Sequence, residues 1–176
     1  RLLEERHLHA PGRRGEGLVL HNTGTVLSAQ GRYAEAIDHF EQAAALRRQI
    51  GDRTGQAATL HQIAVIYSKL GQLDEALSMY QQSLEIHLEV GNQLGAALAL
   101  AGLGLTNSDL GHETEALQQL QEALDIQLQL GDRLDAGTTL NGLALIYQSQ
   151  GNLERASELL KQALDIQKEI GARPDE

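Results

Sequence analysis

Glycine returns every 20 residues along this chain, at Gly31, Gly51, Gly71, Gly91, Gly111, Gly131, Gly151 and Gly171, and no other feature constrains the fold as strongly. A fixed period of this kind marks an array of stacked units, each burying its apolar side against its neighbours. Alternate glycines sit in different contexts, so the unit is 40 residues: residues 51–90 laid on 131–170 without a gap give 15 identities. Residues 11–50 and 91–130 fit the same frame, with Pro11 where the other copies have glycine. The frame divides the chain into a partial helix of a preceding repeat (1–10), four repeats (11–50, 51–90, 91–130 and 131–170) and a tail (171–176).

Each half of a unit reads as an amphipathic helix. Leu60, Ile63, Ala64 and Tyr67 recur at helical spacing in the first half, and Ala76, Tyr80 and Leu84 do so in the second. Gly91 and Gly131 suit the left-handed position after a helix, while Asp52, Asn92 and Asp132 can cap the helix that follows. Asp74, Glu75, Glu113, Glu115 and Glu154 favour the positive ends of the second helices. Nothing alternates with period two. Pro11 and Pro174 are expected between units and in the tail, leaving the helix interiors intact. Positions 24, 64, 104 and 144 are Gly, Ala, Gly and Ala, which predicts a close approach of the two helices of each unit there. Phe40, Tyr67, Tyr80 and Tyr147 are expected in the core.

The series Leu60, Ile63, Ala64, Tyr67, Gly71, Ala76, Tyr80, Ser83 and its counterpart Leu140, Leu143, Ala144, Tyr147, Gly151, Ala156, Leu160, Ala163 resemble the tetratricopeptide repeat. Two departures stand out: the unit is 40 residues long, and the proline that ends the second helix of the usual repeat is missing. The longer form is similar to the repeats of kinesin light chains, Pins-type polarity adaptors and bacterial signalling proteins with helical sensor arrays. The resemblance implies an all-α, right-handed solenoid of tandem helix-turn-helix repeats, with a concave groove lined by the first helix of each unit.

Placed on that groove, the candidate peptide-contacting residues are His21, Asn22 and Thr25; His61, Gln62, Val65 and Ser68; Ala101, Leu105 and Ser108; and Asn141, Leu145 and Gln148. Leu18, Ser28, Ala58, Leu98 and Thr138 share the same face. Val65, Leu105 and Leu145 form an apolar ridge between small polar residues, the chemistry that accepts a peptide or an amphipathic helix; internal packing of the ridge is the competing reading. Asparagine ladders and clamps of Lys and Arg, with which relatives grip a peptide backbone or a C-terminal carboxylate, have no matching set on this face. An apolar or amphipathic protein segment is therefore the expected partner, rather than an acidic C-terminus.

Other chemistries find little support. No cysteine is present, so thiol catalysis and cysteine-based metal sites are excluded. His7 and His9 are two residues apart, and His112-Glu113 lacks the second histidine of a zincin helix. His21 and His61 stand one repeat apart, on helices spaced about 8 to 10 Å, which is too far to share an ion unaided. Gly102-Leu103-Gly104-Leu105 falls inside a predicted helix rather than after a strand, so it is no dinucleotide loop. No metal, no cofactor and no enzyme activity are expected. The formal charge of −10 disfavours direct contact with nucleic acid, and the apolar runs are too short to span a membrane.

The expected role is a non-catalytic protein-binding scaffold; the alternative is a regulatory segment of a larger signalling protein or transcription regulator. The chain opens on Arg1 without a charged-then-apolar leader, so it reads as a segment of a longer protein, with a cytoplasmic location expected. Residues 1–50 carry seven basic and six acidic side chains, and residues 51–176 carry seven and eighteen. Leu2, Leu3 and Leu8 at one end, and Leu160, Leu164 and Ile166 at the other, are expected to lie at uncapped ends through which the chain self-associates, as an isologous dimer or head to tail.

Overall fold

The computed structural model describes residues 10–171, and all regular structure among them is helical. Eight helices follow in order: α1 (Ala10–Ala29), α2 (Tyr33–Gln49), α3 (Arg53–Lys69), α4 (Leu73–Glu89), α5 (Gln93–Asp109), α6 (Glu113–Leu130), α7 (Arg133–Ser149) and α8 (Leu153–Gly171). Leu2, Leu3 and Leu8 lie outside the described residues. Pro11, expected between units, is the second residue of α1; the first turn tolerates a proline because its N–H has no intrahelical partner there.

Seven of the eight periodic glycines end a helix with a positive φ, between 70° and 79°. Each makes the same pair of backbone bonds. After α1, the Gly31 N–H donates to Ser28 O at 3.0 Å and the Arg32 N–H to Leu27 O at 2.9 Å, the Schellman arrangement that satisfies carbonyls left open by the helix end. Side chains with a β-carbon rarely adopt this backbone, which is why the period is written in glycine. Gly171 is the exception, continuing α8 in helical conformation. The following helices are capped where the sequence offers a short acceptor: Asp52 Oδ1 accepts from Gly55 N at 3.0 Å, Asp132 Oδ1 from Asp135 N at 3.3 Å, and Asn152 Oδ1 from Arg155 N at 3.2 Å.

The chain forms two compact units, residues 1–92 and 93–176. In the first, α1 packs on α2, α2 on α3 and α3 on α4, and α1 also touches α3. Its core gathers Leu27, Phe40, Leu60, Ile63, Ile66 and Ile86, with Tyr67 packed half-buried against them. In the second, α5 packs on α6, α6 on α7 and α7 on α8, and α5 touches α7. There Leu120, Leu124, Leu140, Leu143, Ile146, Leu159 and Ile166 form the core, flanked by Tyr147. Ile166, expected at the uncovered end, is instead buried. It continues the inward row of Leu159 and Ala163, whereas Leu160 and Leu164 lie on the other side of α8.

The small residues do bring helices together. A β-carbon on Gly24 would lie 2.9 Å from the Phe40 ring, and Ala64 and Ala144 are buried at the equivalent positions. Where the third copy has Asn107 in place of tyrosine, the buried amide donates to Gln119 Oε1 at 2.8 Å, and its oxygen lies 3.1 Å from His112 Nδ1. The lost aromatic packing is replaced by a hydrogen-bonded link between α5 and the start of α6.

Candidate functional site

In the first unit the candidate face is built on α1 and α3, and its floor is polar. His21 is half-buried, with Nδ1 3.2 Å from Thr59 Oγ1 and its ring tilted against Phe40 at a centroid distance of 5.2 Å. Arg47, which reaches in from α2, is 8% exposed. It donates from Nη1 to Thr59 Oγ1 at 2.6 Å and to Gly55 O at 2.8 Å, with His21 Nδ1 at 3.5 Å and the Asp52 carboxylate 3.8 Å from Nε. Burial, and then the neighbouring Arg47 charge, lower the His21 pKa. Asn22 and Thr25 are exposed, and the Thr25 hydroxyl turns back to donate to His21 O at 3.1 Å.

One repeat on, His61 sets its ring edge-on against Tyr80 at 5.2 Å. Burial pushes its pKa down to about 4, with a further contribution from His87. His87 on α4 is itself 5% exposed, and its Nδ1 has no hydrogen-bond partner. Ser68 hydrogen-bonds the Tyr80 hydroxyl, opposing the upward push that burial exerts on that phenol. Gln62 and Val65 are half-buried.

The second unit presents a more apolar face on α5 and α7. Leu105 is 40% exposed, yet its Cδ2 lies 2.9 Å from where a β-carbon on Gly142 would stand, so one methyl rests on the α7 backbone. Leu145 is 64% exposed. Ser108 and Asn141 are half-buried on the same helices, and Ala101 packs against the core. Gln148 is exposed and also borders a cleft of about 340 Å³ with Leu153, Leu160 and Leu164 of α8.

Arg47 is absent from the face read off the first helices, because its side chain enters from the second helix of the unit. A signal exists in the sequence: positions 47, 87 and 127 are Arg, His and Gln where the helix turns inward. Among the described residues no three His, Asp or Glu side chains come together as a metal site, and no helix is long and apolar enough to cross a membrane.

The sequence matches the profile of the tetratricopeptide repeat in three overlapping stretches, 16–89, 55–129 and 96–169. The chain belongs to the tetratricopeptide repeat family. As the family fold requires, it is an all-α solenoid of helix-turn-helix repeats. No curated protein matches the sequence. Solved tetratricopeptide-like structures resemble it at low identity. BtubC (BKLC) from P. vanneervenii superposes with a TM-score of 0.79 at 18% identity, covering 91% of this chain and 66% of that one. The apo form of RapI gives 0.80 at 17%, covering 88% and 43%. Aspartyl phosphate phosphatase F from Bacillus subtilis gives 0.80 at 20%, covering 97% and 45%. At these identities the likeness concerns the fold, and this array spans less than two thirds of the length of each of the three.

Proposed function

We propose that this tetratricopeptide array is a non-catalytic protein-interaction scaffold that takes up an apolar or amphipathic peptide or helix on the exposed face of its first helices. The observation that carries the reading is the state of Leu105 and Leu145. Both stand exposed on touching helices beside half-buried Ser108 and Asn141. Leucines held in this way lose water when a partner side chain covers them, and the neighbouring polar groups fix its orientation. A rigid helical platform also spares the ordering cost that a loop would incur on binding. An acidic C-terminus fits less well, because Arg47 already serves Gly55 O, Thr59 and Asp52.

Selection of a displayed random-peptide library on the array tests this. Enriched peptides are expected to carry spaced apolar residues and to bind with little change from about 0.05 to about 0.3 M salt, a range across which exposed charges become screened. Leu105→Asp with Leu145→Asp should abolish binding at unchanged helical content. Enrichment indifferent to both substitutions would sink the proposal.

A second reading has its own support: RapI and the phosphatase F chain are longer proteins in which an array of this size spans 43% and 45%. In that reading the array is the regulatory part of a larger signalling protein or transcription regulator, and the same face receives the signal. Sequencing the gene on both sides of these residues distinguishes the two.

A further inference from the structure

The turns that start α3 and α7 stand 80 residues apart in the sequence and share one backbone. At the first, the Asp52 N–H donates to Arg47 O at 2.9 Å, with φ −79° and ψ 74° at the cap; at the second, the Asp132 N–H donates to Gln127 O at 2.8 Å, with φ −76° and ψ 80°. Their charges differ. Around Asp52 the negative charge is met from within the chain: Arg47 brings Nε to 3.8 Å from the carboxylate, and its Nη1 reaches on to Gly55 O and Thr59 Oγ1. Gly55 leaves room for this arrangement, since a β-carbon there would collide with Asp52 Oδ2 and lie 3.0 Å from Arg47 Cδ.

Around Asp132 the basic side chain is replaced and a second acid is added. Gln127 stands where the first unit has Arg47, and Asp135 where it has Gly55. Asp132 and Asp135 are both half-buried. Burial, then the Asp132 charge and a hydrogen bond between the two carboxyl groups, raise the Asp135 pKa. The cap bond from Asp135 N to Asp132 Oδ1 is 3.3 Å long, against 3.0 Å at Gly55. Among the described residues no basic side chain pairs with either acid; Arg133, between them in sequence, turns to Glu169 at 3.2 Å. Gln127 is fully buried and leaves both amide atoms without a partner. Its amide carbon is as many bonds from the backbone as Arg47 Cδ, the atom that lies against position 55. The amide therefore comes up behind Asp135 and ends two atoms short of the reach of Arg47 Nη1. Such an unmet buried amide is costly to keep, and here it backs two carboxyl groups that no cation serves.

We propose that Asp132 and Asp135, with the Gln127 amide oxygen behind them, receive an arginine side chain of the segment bound on the groove, an assignment that rests on the groove reading above. The first unit shows the fit, because there the chain fills the equivalent place with the guanidinium of Arg47. A planar guanidinium with five donors suits two adjacent carboxylates better than the point charge of an ammonium. Asp135 lies one turn before Thr138 on the face that continues through Asn141 to Leu145. Leu145 is ten residues further on, about 15 Å along the helix, a span of about five extended residues. Leu134, 71% exposed beside Asp135, offers an apolar surface to the methylene stem of the arginine. Because the acids are half-buried, salt screens the contact only weakly.

Peptides selected on the array supply the test. Those that depend on Leu105 and Leu145 should carry an arginine, and exchanging it for citrulline, which keeps the shape and drops the charge, should weaken binding about tenfold. Asp132→Asn with Asp135→Asn should weaken the arginine peptide by the same factor, asparagine still capping the helix, and on that variant the citrulline exchange should cost nothing. Should the double variant lower the helical signal, Asp135→Asn alone replaces it. In a carboxyl-carbon NMR titration, the arginine peptide should lower the Asp135 pKa and the citrulline peptide should leave it in place. Peptides that need Leu105 and Leu145 yet carry no arginine, a citrulline exchange that costs as much on the variant as on the native array, or an Asp135 titration unmoved by the arginine peptide would each overturn this proposal and leave the groove reading standing. Peptides indifferent to Leu105→Asp with Leu145→Asp would sink both.

Discussion

A β-carbon at Gly104 of α5 would lie 2.6 Å from Leu120 Cγ and 3.1 Å from the Ala116 carbonyl oxygen of α6. Leu120 has no exposed surface and Ala116 presents backbone, so neither neighbour can withdraw. The glycine sets how closely the two helices approach.

Gly104→Ala should therefore destabilise the array by about 1 to 2 kcal/mol, overpacking outweighing the helix-propensity gain. Gly137 in the same unit gives the opposite sign. Its nearest neighbour, Ile166 Cγ2, stands 3.7 Å from the β-carbon position, ordinary contact, so Gly137→Ala should stabilise by about 0.5 to 1 kcal/mol. Urea unfolding of both variants checks the pair; a Gly104→Ala protein as stable as the parent would refute the packing argument.

Stability should fall with acidification through a defined window. Burial holds the His61 imidazole at a pKa of about 4 in the folded chain, against 6.5 for an ordinary histidine. Between those values the unfolded chain binds more protons than the folded one, so the contribution is constant above about pH 7 and is lost as pH falls from the open-histidine value toward the folded one. The full loss from this group is about 3 kcal/mol. His61→Gln should flatten the profile across that window. A difference between the two proteins that is independent of pH would contradict the assignment.

Positions 47, 87 and 127 carry one buried polar side chain each, with different fates. Arg47 is hydrogen-bonded to Thr59 and Gly55, His87 leaves Nδ1 unpaired, and Gln127, fully buried, pairs neither amide atom. An unmet buried amide costs about 1 to 3 kcal/mol. Gln127→Met should thus raise stability by about 1 kcal/mol or more, and Arg47→Met should lower it by about 2 kcal/mol through lost charge-assisted bonds. Thermal unfolding of the two variants measures both; the same sign for each would show that pairing is not what distinguishes these sites.

The helices, their glycine stops and the aspartate caps could be read from the sequence because each is local. A Schellman turn at Gly31 involves residues 27 to 32, and the cap of α3 involves only Asp52 and Gly55. The 40-residue period and the small residue at position 104 were visible for the same reason, since repetition writes one local requirement four times. What no stretch of sequence contained were meetings between residues far apart in the chain. Arg47 reaches under His21, 26 residues away, because α2 turns inward there. The Leu105 methyl rests on Gly142 while the rest of that side chain stays exposed. Ile166 goes to the core while Leu164, two residues earlier, stays open. Local periodicity assigns a residue to a helix and roughly to a face; which faces are covered depends on the neighbouring helix that arrives, and only the packed tertiary structure decides that.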